Sequence, residues 1–188
     1  MGRWVAFVFP AFNIKIRLTI TDIKMQPSPI QLKVMQYLRI KVFAREFKAD
    51  NGESVQDFDF LGVSIGERIG IAVMGDKENP TMFAVRLHIT IDNEEGKVTP
   101  YDVDVEVVGS FAVSENIPKD NRENLVLVNG CSILYSAIRD QVMTLSARCH
   151  HGPMILPTVN FLDKVKKTES ENQTQKKRPK KKTEQPPK

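Results

Sequence analysis

Apolar and polar residues alternate with a period of two in five stretches of this chain, and helical spacing enters only after the last of them. Phe12, Ile14, Ile16, Leu18 and Ile20 alternate with Asn13, Lys15, Arg17 and Thr19, the pattern of a half-buried strand. Gln26-Pro27-Ser28-Pro29 then breaks the chain. The next stretch reads two ways. Leu38, Ile40 and Val42 alternate as in a strand, whereas Ser28-Pro29 could cap a helix running through Ile30, Val34 and Leu38. The strand, Tyr37 to Phe47, is preferred because Asp50-Asn51-Gly52 follows as a hairpin-type turn. Leu61, Val63, Ile65, Ile69, Ile71 and Val73 share one parity and suggest a long strand or a bulged pair, with glycines 62, 66 and 70 allowing twist. Phe83, Val85, Leu87, Ile89 and Ile91 mark the clearest strand. After a turn at Asp92 to Gly96, Tyr101, Val103, Val105 and Val107 alternate with Asp102, Asp104 and Glu106. Consecutive strands with short turns predict an antiparallel meander with one apolar and one polar face.

Helical spacing begins at Asp120 to Val128, a short segment that Gly130 would close. A longer helix follows over Ile133 to Arg148, with Leu134, Ile138, Val142 and Leu145 along one stripe, and His151-Gly152-Pro153 ends it. Strands first and helices last is an α+β arrangement, a sheet of four or more strands with two C-terminal helices packed on one face. The 188 residues suit one domain with tails. Charge changes that picture at the end of the chain. Of 27 basic and 23 acidic residues, ten and three lie in Lys164 to Lys188, so the tail carries +7 and the body, with 17 and 20, carries −3. The tail has almost no apolar residues and is expected to be disordered. The organisation read from this is an N-terminal extension over 1–30, a folded domain over 31–163 and a basic tail over 164–188. The extension either adds a strand or precedes a true start at Met25 or Met35.

No apolar run approaches the roughly 20 residues that span a bilayer. The N-terminal Trp4 to Phe9 run is too short for a signal peptide, so a cytoplasmic protein without stable membrane insertion is expected. Cys131 and Cys149 are 18 residues apart, about 27 Å along one helix, beyond disulfide reach, which fits a reducing compartment.

Three segments carry a resemblance. Asn129-Gly130-Cys131, then Ile133-Leu134-Tyr135-Ser136-Ala137-Ile138-Arg139, then Gly152-Pro153-Met154-Ile155-Leu156-Pro157-Thr158-Val159-Asn160-Phe161 resemble in type and order the C-terminal half of the SecB family of export chaperones. Val108 to Val113 looks like that family's glycine-then-Phe strand end, and the strand order upstream agrees. The family's Phe-Pro-Tyr is replaced here by Tyr135-Ser136-Ala137, a departure that bears on how far oligomer contacts copy the SecB tetramer. The resemblance implies an ATP-independent holdase for unfolded or precursor polypeptides, without enzymatic activity or cofactor, self-associating to a dimer or tetramer. It implies client-binding apolar grooves at Ile133, Leu134, Tyr135, Met154, Ile155, Leu156 and Phe161. It also implies an acidic outer sheet face at Asp102, Asp104 and Glu106 on which the SecA motor would dock. A SecB-like chaperone dedicated to an antitoxin fits the same residues.

Other chemistry reads more weakly. Asp102, Asp104 and Glu106 share a strand face, but no pocket or partner histidine marks them as acid-base catalysts. Cys149-His150-His151 are metal-ligand types, yet adjacent positions on a helix cannot converge on one ion and no second ligand pair follows, so no metal is expected. His88 falls on the polar strand face and is expected to be solvated. Gly62-Val63-Ser64-Ile65-Gly66 has the letters of a nucleophile elbow without its strand-to-helix context. In the tail, Lys176, Lys177, Arg178, Lys180, Lys181 and Lys182 would contact phosphates or anionic lipid without sequence readout, since no aromatic is present to stack on bases.

Overall fold

Tyr101, Val103, Val105, Val107, Phe111 and Val113 lose nearly all their solvent contact, and the strand that carries them is the centre of the molecule. The structure is a computed structural model and describes residues 24–46 and 58–162. The strand expected over Phe12 to Ile20, the turn at Asp50 to Gly52 and the basic tail lie outside the described residues. Within them the order is β1 (Ile30–Ala44), β2 (Gly66–Met74), β3 (Met82–Ile91), β4 (Tyr101–Val113) and α1 (Lys119–Ser146). All strand pairs are antiparallel, in the spatial order β1-β4-β3-β2.

That order corrects the expected meander. Only β2, β3 and β4 run as one; β1 lies beside β4 and not beside β2. β4 offers 13 residues of backbone donors and acceptors against nine in β2, so a 15-residue β1 satisfies more of its own backbone there. β1 also starts seven residues earlier than the alternation suggested. Its pairing with β4 slips between Leu32 and Val34 and again between Tyr37 and Arg39, leaving Lys33 and Leu38 as bulged residues. Each bulge resets the parity. Ile30 and Leu32, then Met35 and Tyr37, then Ile40 and Val42 therefore share one face, although no single period of two connects them. Ser28 does not cap a helix; its Oγ accepts the Ile30 amide at 3.3 Å. β2 is shorter than the run of apolar residues implied, and Val63 forms only an isolated bridge with Gly96.

The two expected helices are one. α1 continues through Gly130 for 28 residues and buries Val126, Leu127, Gly130, Cys131, Leu134, Tyr135, Ile138, Val142 and Ser146 against the sheet. Gly130 is there for proximity rather than for termination. A Cβ on it would lie 3.1 Å from Val85 Cγ2 and 3.3 Å from the Phe111 ring. Across the interface a Cβ on Gly109 would come within 2.9 Å of both Leu134 Cδ2 and the Phe111 ring. The helix thus settles on β3 and β4 with Phe111 filling the space between two missing side chains. Leu145, expected on the buried stripe, is exposed. Ser146 takes the inward position as the helix ends.

Pro118 precedes the helix without a side-chain cap, and Arg122 fixes its start instead. The buried guanidinium donates to the carbonyls of Ile117, Pro80 and Glu115 and to Asn79 Oδ1, all at 2.8–3.0 Å. It joins the β2–β3 turn to the β4–α1 turn through neutral acceptors alone.

The close helix-sheet approach makes β4 intolerant of volume at its midpoint. Gly109→Val is expected to cost about 1–3 kcal/mol through overpacking, read as a lower urea midpoint with an unchanged slope.

Candidate functional site

Beyond α1 the chain doubles back and is strapped to the helix by side chains that the sequence does not advertise. Gly152 turns it with φ of 80°. Ser146 Oγ accepts the Met154 amide at 2.8 Å while donating to the Val142 carbonyl at 2.7 Å. The Tyr101 hydroxyl donates to the Gly152 carbonyl at 2.7 Å, Arg139 Nε to that of Leu156 at 2.8 Å, and the Tyr135 hydroxyl to that of Pro157 at 2.8 Å. Tyr135 also meets the Phe161 ring edge-on at 5.7 Å. Burial pushes the Tyr135 hydroxyl up to about 12 against the opposing effect of Arg139, and burial alone pushes the Cys131 thiol up to about 12.

This strap sorts the seven expected groove residues. Leu134, Tyr135, Met154, Leu156 and Phe161 are core; only Ile133 and Ile155 reach the surface, at 38% and 47% exposure. The reason is periodicity: the extended strap turns Met154 and Leu156 inward and Ile155 outward, and the helix rotates Ile133 out as it turns Leu134 and Tyr135 in.

A second apolar surface runs along β1, where sequence reasoning placed none. Leu32, Met35 and Ile40 lie opposite Phe111, Gly109 and Val105, hence on the helix side of the sheet. They nevertheless stay exposed, because α1 covers mainly β3 and β4. Tyr37 reaches across to donate to the Ala137 carbonyl at 2.9 Å and ties this strand to the helix. Among the described residues β1 is an edge strand, so this apolar margin adjoins backbone groups that no described strand pairs.

The acidic trio does share the outer face, but each member is matched by a base. Asp102 pairs with Arg45 at 3.1 Å and accepts from Asn93 at 2.6 Å. Asp104 meets Arg39 at 3.2 Å and His88 Nε2 at 2.8 Å. Glu106 is buried and forms an ion pair with Arg86. Burial on its own would raise the Asp104 carboxyl; hydrogen bonds and charge from His88 and Arg39 outweigh it and hold the group below the usual carboxylate range. His88, expected to be solvated, is buried on this face. The common strand parity of Arg86, His88, Asp104 and Glu106 was the signal for these pairs; the contribution of β1 was not, because its bulges hide its faces.

His151 places Nε2 2.6 Å from the Arg45 carbonyl and packs edge-on against His150 and Tyr101. Ser64 lies in the loop before β2, with no helix after it. The tail lysines lie outside the described residues, and no helix is long and apolar enough to cross a membrane among those described.

The family model described as preprotein translocase subunit SecB matches residues 64–172, more than half of the chain. No curated protein matches by sequence. Among solved structures, the chain is similar to the SecB-like chaperone Rv1957 of Mycobacterium tuberculosis, in complex with a ChAD peptide from the Rv1956 HigA1 antitoxin. That likeness is at 20% identity and a TM-score of 0.46 over 70% of this chain and 90% of that one. It is also similar to a protein of unknown function from Streptococcus agalactiae, at 11% identity and a TM-score of 0.44 over 69% and 97% of the two chains.

Cys131 and Tyr135 are held neutral by the fold, with values of about 12 against roughly 8.5 and 10 when unfolded. Their contribution is therefore complete below about pH 8.5 and is lost as pH rises towards 12. The melting temperature is expected to hold from pH 7 to 8 and fall steadily above about pH 9. In the same range an alkylating reagent should label Cys149 first and Cys131 only on unfolding.

Proposed function

Because the chain belongs to the SecB family of chaperones, which are not enzymes, we propose that it is an ATP-independent holdase for unfolded or precursor polypeptides on their way to export. The observation that carries this reading is the apolar surface left open beside the helix: Ile133, Ile155 and Leu162 on the strap side, and Leu32, Met35 and Ile40 along β1. A monomer gains nothing from exposing so many large side chains, whereas a protein that captures unfolded chains needs them. Capture requires no chemistry. An apolar segment exchanges water for these side chains, and its release follows from folding or hand-over, so no nucleotide enters the cycle.

The edge of β1, which no strand among the described residues covers, supports self-association. Two copies pairing there would cover the backbone groups of both edges and set two client surfaces side by side, raising avidity through effective concentration. The work is done in the cytoplasm, before translocation. Docking of SecA through Asp102, Asp104 and Glu106 has less support, since all three carboxylates are already engaged by Arg45, Arg39, His88 and Arg86. A second reading, contact with polyanions, is supported by the +7 charge of 164–188.

The purified protein is expected to suppress aggregation of a chemically denatured client without nucleotide and to sediment as a dimer or tetramer. The pair Ile133→Asp and Ile155→Asp should remove most of the protection while leaving the melting temperature within a few degrees. Unchanged protection in that variant would sink the groove assignment. If pull-down from lysate recovers one protein in place of many, the client is a dedicated one, such as an antitoxin. Deleting residues 164–188 should abolish salt-sensitive binding to single-stranded nucleic acid and spare the holdase activity.

A further inference from the structure

The outer face of the sheet, turned away from α1 and the strap, is ordered in rows across the strands. Met74, Met82 and Ala112 align in one row, and Ala72, Ala84, Ser110 and Val34 in the next. Two rows further along lie Arg68, His88, Glu106 and Arg39, followed by Thr90, Asp104 and Lys41. One end of the face is therefore apolar and the other charged, about 13 Å apart at roughly 3.3 Å per strand residue.

The charged end is basic on balance. Arg39, Lys41, Arg68, Arg86 and Arg45 oppose Asp92, Asp102, Asp104 and Glu106, and the last three carboxylates already have their bases. The Arg68 side chain makes no hydrogen bond or ion pair among the described residues. Its neighbour along the strand, Gly70, leaves an open space of about 380 Å³ bordered by Arg39, Arg68, Arg86, His88 and Glu106. Among the described residues, this hollow is walled by three guanidinium groups and only two of them, Arg39 and Arg86, have a carboxylate partner. Guanidinium groups hold carboxylates through paired, charge-assisted hydrogen bonds.

We propose that this face docks an acidic segment of a partner polypeptide, seating a carboxylate among Arg39, Arg68 and Arg86 with the following apolar side chains on Val34, Met74 and Met82. Charge complementarity selects this occupant. A basic segment would meet Arg68, Arg39 and Lys41 with only Asp92, at the far margin of the face, to receive it, and a purely apolar one would leave Arg68 unanswered. The surface is separate from the helix-side apolar margin, so the proposal goes beyond the holdase reading and stands or falls independently of it.

The test uses the full-length protein and a fluorescein-labelled peptide with glutamates in its N-terminal half and leucines in its C-terminal half, followed by anisotropy. The Arg68→Glu variant is expected to bind it about tenfold or more weakly, and Arg68→Gln by an intermediate amount, with melting temperatures equal to that of the parent chain. The peptide with lysines in place of glutamates should bind far more weakly than the acidic one, and added salt should weaken the acidic complex. Parent-like affinity in Arg68→Glu would overturn the proposal, because binding would then reside in the basic tail. Equal affinity for the lysine peptide would overturn it as well, as would dependence on Arg68 confined to a single-stranded oligonucleotide. Aggregation suppression by Arg68→Glu should match the parent, which separates failure here from failure of the holdase reading.

Discussion

The fold depends on how closely one helix can approach one strand. Phe111 has no solvent exposure and lies between Gly109 in its own strand and Gly130 in the helix, where side chains would collide with it or with its neighbours. Dispersion falls steeply with distance, so a few tenths of an ångström there decide how well Leu134, Ile138 and Val142 pack on β3 and β4. The same approach explains why the helix does not break at its glycine: a kink would withdraw the contact that the missing side chain creates. It also fixes where Tyr135 and Arg139 emerge, and hence where the strap can be hydrogen-bonded.

From that contact outward the molecule divides into two surfaces of unlike chemistry. On the helix side, the buried hydroxyls and the Arg139 guanidinium are consumed by carbonyls of the strap and of α1, and an apolar margin stays exposed beside the helix. On the outer side, charges are arranged in cross-strand pairs, and the surplus is positive. The body as a whole is acidic, so this local surplus opposes the average of the domain around it.

Regular pleats were legible in the sequence, and anything that interrupts a period was not. β3 and β4 follow their alternation almost residue for residue. β1 was half seen, since Lys33 and Leu38 each shift the phase and make three short strands' worth of pattern out of one. Gly130 reads locally as a helix stop, while its use here, accommodating Phe111, is a property of a strand that ends at Val113. The acidic trio was visible as three carboxylates on one face. Its neutralisation was hidden because Arg39 and Arg45 lie 65 and 57 residues from their partners. The motif marks Ile133 and Leu134 alike, and only the helix phase separates the exposed one from the buried one. Arg122, Tyr101 and Ser146 carry structural roles for which the sequence offered no sign: a buried guanidinium served only by carbonyls and an amide, and two hydroxyls that hold the returning chain.

The two bulges of β1 couple chain length to chemistry. Gain of one residue between Lys33 and Leu38, with both bulges kept, would exchange the sides of the strand on one flank, sending Tyr37 away from Ala137 or Arg39 away from Asp104. Loss of Lys33 or Leu38 itself would merely restore an unbroken ladder. Along this edge a deletion at a bulge is therefore mild, and a change of length that no bulge absorbs is drastic. Two positions serve as phase adjusters that let a strand with irregular spacing present a regular pair of faces.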